Sequence, residues 1–202
     1  MSYVAERTSG TEGAPLIFTF HGTGGNEHQF HGLASELIPD AYVVSPRGDV
    51  SEMGANRYFR RTGEGVYDMD DLWTRAQAMA AFMEAEKSRV GATRVIALGY
   101  SNGANILAAV LLLQPDLVDE VILMHPLIPW SPDPQPGLEG KRVLITAGER
   151  DPICPAPLTE VLEAYLGAQA ARVETHWHEG GHELRPSELA AIQSFLSVQV
   201  TV

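Results

Sequence analysis

Cysteine is almost missing from this sequence: Cys154 stands alone among 202 residues, so no internal disulfide can form. No CxxC pair and no paired Cys/His zinc spacing occurs either, which removes redox motifs and structural zinc sites and permits a reducing, cytoplasmic location. Long hydrophobic runs are scarce. The longest, residues 104–113, is broken by Asn105 and falls short of the ~20 residues a membrane span needs. Residues 1–10 carry Glu6 and Arg7 where a secretory signal would carry an apolar core. Positive charge is also thin, 14 Lys plus Arg against 26 Asp plus Glu, for a net charge of −12. Such a field repels phosphate backbones and anionic lipid, so neither nucleic acid nor a stably bound membrane is an expected partner.

What remains is ordinary globular material, with 45% hydrophobic and 20% charged residues. The length suits one domain over 1–202, burying about 70% of the unfolded surface. Short apolar runs at 16–20, 42–45, 94–98, 121–124, 143–146 and 172–176 predict strands buried on both faces. Helical patterns fall between them at 27–37, 69–89, 104–113, 158–166 and 186–198. In the longest, Leu72, Trp73, Ala76, Met79, Ala80 and Met83 form one apolar stripe, which reads as packing. The alternation predicts an α/β fold, a doubly wound and mostly parallel sheet with helices on both faces. Residues 3–6 are too short a pattern to assign as an edge strand. Residues 46–67 form a long irregular stretch, rich in arginine (Arg47, Arg57, Arg60, Arg61), where a substrate loop would fit.

One segment carries sharper chemistry. Gly99-Tyr100-Ser101-Asn102-Gly103 reads GxSxG, with the apolar run 95–98 leading in and a helical pattern leading out. A serine on so tight a turn needs neighbours without side chains, or strand and helix collide. At a helix start it also faces free backbone N–H groups and the positive end of the helix dipole, so the Asn102 N–H becomes a candidate oxyanion donor. A second donor is expected from His21-Gly22-Thr23-Gly24-Gly25 after the first strong strand, at the N–H of Thr23 or else of Gly24. His21 itself reads as a loop-organising residue.

Serine needs a histidine to take its proton and a carboxylate to hold that histidine's tautomer. The GxSxG elbow resembles that of α/β-hydrolases, whose chain order of serine, acid, histidine implies that His21, His28 and His31 are excluded and leaves His125, His176, His178 and His182. His182 lies in the glycine-rich loop 179–183 and is preferred; His125 either lines the site or makes a turn contact. Asp151, after the run 143–146, is preferred as acid over Glu149, with Pro152 and Pro155 stiffening its turn. His176, His178 and His182 give an HxHxxxH pattern, but no further ligands complete a tetrahedral site and no metal or other cofactor is expected. Cys154 lacks an elbow and reads as a small buried residue.

Taken together, HGTGGNE (21–27), SPRGD (45–49), FRR (59–61), GYSNGAN (99–105), GERDPICP (148–155) and GGHEL (180–184) resemble the bacterial carboxylesterase/phospholipase branch of the α/β-hydrolases, a group related to acyl-protein thioesterases and dienelactone hydrolases. The resemblance covers nearly the whole chain. It implies hydrolysis of a small-molecule ester, short-chain or lysophospholipid-like, without a cofactor and often by a homodimer. Dienelactone hydrolases typically place cysteine where Ser101 stands, which weakens that branch. A thioesterase or lysophospholipase with the same triad is the enzymatic alternative, and a non-catalytic ligand-binding protein on the same fold is the alternative of another class. The short, proline-rich link before 141 leaves no room for a large cap domain. Within it Leu127, Ile128 and Trp130 either line an acyl pocket or pack the core. Arg60 and Arg61 either meet an anionic substrate or form surface ion pairs.

Overall fold

The computed structural model describes residues 3–63 and 65–197. In chain order they form β1 (Ala5–Thr8), β2 (Leu16–Phe20), α1 (His31–Leu37), β3 (Tyr42–Pro46), β4 (Val50–Glu52), β5 (Ala55–Arg57), β6 (Arg61–Gly63), β7 (Val66–Tyr67) and α2 (Met69–Val90). There follow β8 (Val95–Tyr100), α3 (Asn102–Leu113), β9 (Glu120–Met124), β10 (Arg142–Gly148), α4 (Ala156–Ala168), β11 (Arg172–His178) and α5 (Pro186–Ser197). Seven strands make one sheet in the order β1-β3-β2-β8-β9-β10-β11. All its pairings are parallel except that of β1 with β3, which is antiparallel.

Period-two alternation inside the apolar runs explains why helices cover both faces. Leu16, Phe18, Val95, Ala97, Val121, Leu123, Val143 and Ile145 pack with residues of α2, α3 and α4, including Met79, Ile106 and Leu162. Their neighbours Ile17, Ile96, Leu98, Ile122 and Leu144 point the other way and meet Ala34 of α1 and Ile192 and Phe195 of α5. Each buried Leu, Ile or Phe contributes roughly 1.5–3 kcal/mol, so the strands are anchored firmly and their carboxyl ends can carry strained turns. α2 is closed at both ends: the Asp68 side chain accepts the Asp71 N–H, and Gly91 turns left-handed at φ 66°.

Several boundaries depart from the sequence pattern. The helix expected over 27–37 begins only at His31, because the preceding residues are held in turns: Asn26 Oδ1 accepts the His28 N–H, and Gln29 Oε1 reaches back to the Gly22 N–H. Residues 5–8, left unassigned, form the antiparallel edge strand. The irregular 46–67 stretch contains two small hairpins, β4–β5 and β6–β7, whose polar two- and three-residue strands carry no hydrophobic period to read. For the last helix, its expected end at Val198 lies outside the described residues. The link 125–141 holds one short 3₁₀ turn, Pro136–Leu138, and no cap. Among the described residues no helix is long and apolar enough to cross a membrane.

Candidate active site

The chain changes direction between β2 and β8, the strands on either side of which run outward in opposite order, and the loops at their carboxyl ends open into a cleft, as expected at such a switch point. Ser101 sits at φ 53°, ψ −118°, a conformation that costs a non-glycine residue about 1–3 kcal/mol. The elbow is locked by the Ser101 N–H donating to the Met124 carbonyl (2.9 Å) and by the Asn105 N–H donating to the Ser101 carbonyl (3.0 Å). Its glycines are demanded by space. A Cβ on Gly103 would stand 2.4 Å from the Phe20 carbonyl oxygen, and one on Gly99 2.5 Å from that of Gly103.

Three side chains from separate segments meet here. His182 Nε2 lies 2.9 Å from Ser101 Oγ, and His182 Nδ1 lies 2.7 Å from Asp151 Oδ2. Tyr100 steadies the imidazole, its hydroxyl donating to the His182 carbonyl (2.6 Å) and its ring lying 5.3 Å from the imidazole. Asp151 is buried and its other oxygen, Oδ1, accepts the N–H groups of Ile153 (2.8 Å) and Cys154 (2.9 Å). Burial alone would raise this carboxyl's pKa; hydrogen bonds from His125 and His182, then from Cys154 and Ile153, outweigh it and hold the group well below the usual carboxylate range. Glu149 takes no such place: its backbone N–H simply extends the β10–β11 ladder to the His178 carbonyl.

Of the two candidate donors in the 21–25 segment, Gly24 is engaged, its N–H donating to the Asn56 carbonyl (2.9 Å). Thr23 lines the cleft, and among the described residues no acceptor takes its N–H. Asn102 is the first residue of α3, so its N–H has no intrahelical partner, while its side-chain Oδ1 accepts the Tyr58 N–H (2.8 Å) and ties the 46–67 segment to the elbow. His21 is buried beside the cleft with Nδ1 donating to the Gly22 carbonyl and Nε2 accepting the Gly48 N–H; burial lowers its pKa and keeps it neutral.

The cleft holds about 350 Å³. Leu127 and Arg61 line it, but Ile128 and Trp130 do not: Ile128 is buried in the core, and Trp130 packs edge-on against Tyr67 and Trp73 beside a separate groove. Arg60 is turned away, 60% exposed and paired with Asp68 and Asp71. Arg57, unremarked beyond its presence in the loop, is the cleft's other cation. It is 4% exposed, donates Nη1 to Thr23 Oγ1 (2.9 Å), and shares the single carboxylate of Glu52 with Arg61. Cys154 is buried, its thiol donating to the His125 carbonyl and its pKa pushed far up by burial and by Asp151.

Sequence reasoning also passed over what lies behind Asp151. His125, with no exposed surface and φ 50°, places Nδ1 2.9 Å from Asp151 Oδ2 and Nε2 3.0 Å from Glu188 Oε1. Its position after β9 was a signal; Glu188, inside an amphipathic helix, gave none. The HxHxxxH residues do not converge, as His178 faces Glu188 and His182 faces Ser101 and Asp151, with His176 in neither set. His125, His178 and Glu188 lie close enough together to suggest a metal site. Yet His178 Nδ1 accepts the Gly180 N–H (3.0 Å), so its proton sits on Nε2, the very atom facing the cluster, which leaves no lone pair for a metal.

Residues 15–144 match the alpha/beta hydrolase fold family. The chain is 40% identical over 175 residues to the "Putative hydrolase MhqD" of Bacillus subtilis (strain 168), covering 86% of this chain and 88% of that one. Among solved structures it is similar to the Agrobacterium tumefaciens protein Atu2452, with 54% identity, TM-score 0.91 and 96% of both chains covered. It is also similar to the Bacillus cereus carboxylesterase, with 34% identity, TM-score 0.89, and 96% of this chain and 92% of that one covered.

Proposed function

This chain belongs to the α/β-hydrolase family, and from that premise we propose that it is a serine hydrolase that cleaves carboxylic esters through an acyl-enzyme on Ser101. The reading rests on one observation, the unbroken line of hydrogen bonds from Ser101 Oγ through His182 to Asp151 on a strained elbow. His182 Nε2 takes the Ser101 proton as Oγ bonds to the ester carbonyl carbon, and Asp151 stabilises the imidazolium that results. The carbonyl oxygen, now an oxyanion, takes the N–H groups of Thr23 and Asn102. Collapse expels the alcohol, which leaves with the proton from His182; a water then attacks the acyl carbon by the same route and frees Ser101.

The cleft also suggests the kind of ester. Among the described residues Arg57 and Arg61 pair with one carboxylate, Glu52, so this side of the cleft keeps an excess positive charge in a chain whose net charge is −12. An ester carrying a carboxylate or another anionic group suits that charge, with Leu127 and Ile153 offering apolar contact. The similarity to the Bacillus cereus carboxylesterase supports oxygen esters; thioesters present the same carbonyl to the same groups, and a parallel substrate panel separates the two.

Ser101→Ala is expected to cut ester turnover by ~10⁴-fold or more and to abolish labelling by a fluorophosphonate, with the circular dichroism spectrum unchanged. Retained turnover in a folded Ser101→Ala protein rules out the serine mechanism.

A further inference from the structure

Behind the proposed triad lies a second, fully buried set of charges that the reaction above does not use. Glu188, on α5, is 0% exposed; its Oε1 accepts the Thr146 hydroxyl (2.7 Å) and lies 3.0 Å from His125 Nε2, and its Oε2 accepts the Arg185 N–H (2.6 Å) and lies 3.3 Å from His178 Nε2, which also stands 3.5 Å from His125 Nε2. Asp151 Oδ1 takes the backbone N–H groups of Ile153 and Cys154, and its Oδ2 lies 2.7 Å from His182 Nδ1 and 2.9 Å from His125 Nδ1. A carboxyl group that only accepts is ionised. His125 therefore faces a carboxylate oxygen with each ring nitrogen, and each nitrogen must carry a proton, which makes His125 an imidazolium.

Resting on the proposed function, we infer that His125 and Glu188 are positioning residues for the reaction: the His125 imidazolium, held by Glu188, fixes the Asp151 carboxylate and limits how strongly that carboxylate attracts a proton onto His182. Two donors compete for the same oxygen, Asp151 Oδ2, and the two imidazole rings lie 5.2 Å apart. Negative charge on Asp151, which acts on the His182 ring, is thus partly neutralised from behind. Without Glu188 the imidazolium would lack its second carboxylate; without His125, two buried carboxylates would face the site uncompensated. The local charges are consistent with this. Around His125 stand Asp151, Glu188, His178, His182, Tyr100 and Cys154; His182 faces Asp151, Ser101, Tyr100 and His125, with Arg57 and Arg61 in the same cleft. Burial works against the charged His125, but the hydrogen bonds and charges of Asp151 and Glu188 outweigh it and raise its pKa to about 9.

The test compares pH profiles of kcat/KM on a neutral ester, and of fluorophosphonate labelling rate, for the wild type, His125→Gln and His125→Gln/Glu188→Gln. Removing the imidazolium should move the acidic limb of both profiles upward by on the order of one pH unit. The double variant guards against misfolding, because it also removes the carboxylate that the single variant leaves unpaired. A folded double variant whose limb stays at the wild-type position, or moves down, overturns the assignment. So does a nitrogen-resolved NMR spectrum of the wild type in which the buried His125 ring is singly protonated at pH 7.5, a result independent of any variant. A wild type that neither turns over esters nor takes the label would instead overturn the proposed function itself, so the two failures are distinct.

Discussion

At the scale of single residues, two of the non-glycine residues with positive φ, Ser101 at 53° and His125 at 50°, follow strands of the central sheet, and both sit against Asp151 or its partner His182. Such strain persists only where surrounding contacts outweigh it, and here hydrogen bonds converge on it. His125 makes a testable contribution to folding. Its pKa is raised from 6.5 to about 9 on folding, so the stability it lends is complete below about pH 6.5 and is lost as pH rises through about 9. Asp151 and Glu188 have lowered values, so their contribution is present above about pH 4 and is lost as pH falls further. The melting temperature of the wild type should therefore fall between pH 6.5 and 9.5 more steeply than that of His125→Gln/Glu188→Gln. Parallel slopes in differential scanning calorimetry would show that His125 does not gain its proton affinity on folding.

At the scale of elements, the site depends on pieces that the hydrophobic pattern does not mark. β4–β5 and β6–β7 bring Arg57 and Arg61 to the cleft, and the Tyr58 N–H to Asn102 Oδ1 fastens that segment to the start of α3. Glu52, beside the β4–β5 turn, neutralises one of the two arginines. Arg61→Ala should then raise KM about tenfold for an ester bearing a carboxylate and change it much less for its neutral analogue. Glu52→Gln should act oppositely, tightening inhibition by simple carboxylates. Equal effects on neutral and anionic esters would show that these arginines serve only the loop's own structure. The buried strands, by contrast, were visible in the sequence because each is a short apolar run with its own boundaries, and β2 matches its expected span residue for residue. α1 was read too long because the polar side chains of 26–29 serve turns, and a local pattern cannot show where those side chains bond.

At the scale of the whole molecule, a net charge of −12 repels itself across the surface even though the core pairs its charges. Raising ionic strength from about 0.01 M to 0.15 M shortens the Debye length from about 30 to 8 Å, and the melting temperature should rise with it at pH 7. A fall would mean that surface ion pairs such as Arg60–Asp68 and Arg75–Asp49 outweigh the net repulsion.

By itself the sequence determined the class of fold, the serine elbow and the candidates for acid and histidine, because strand periodicity, glycine at tight turns and motif order are local properties of the chain. It could not distinguish Arg61 from Arg60, nor Leu127 from Ile128 and Trp130, since adjacent residues differ only in which way the folded backbone turns them. Only tertiary structure decided that His125, from the end of β9, meets Asp151 from behind and is itself held by Glu188, from α5, because 63 residues separate His125 from Glu188 and no local pattern encodes so distant a contact.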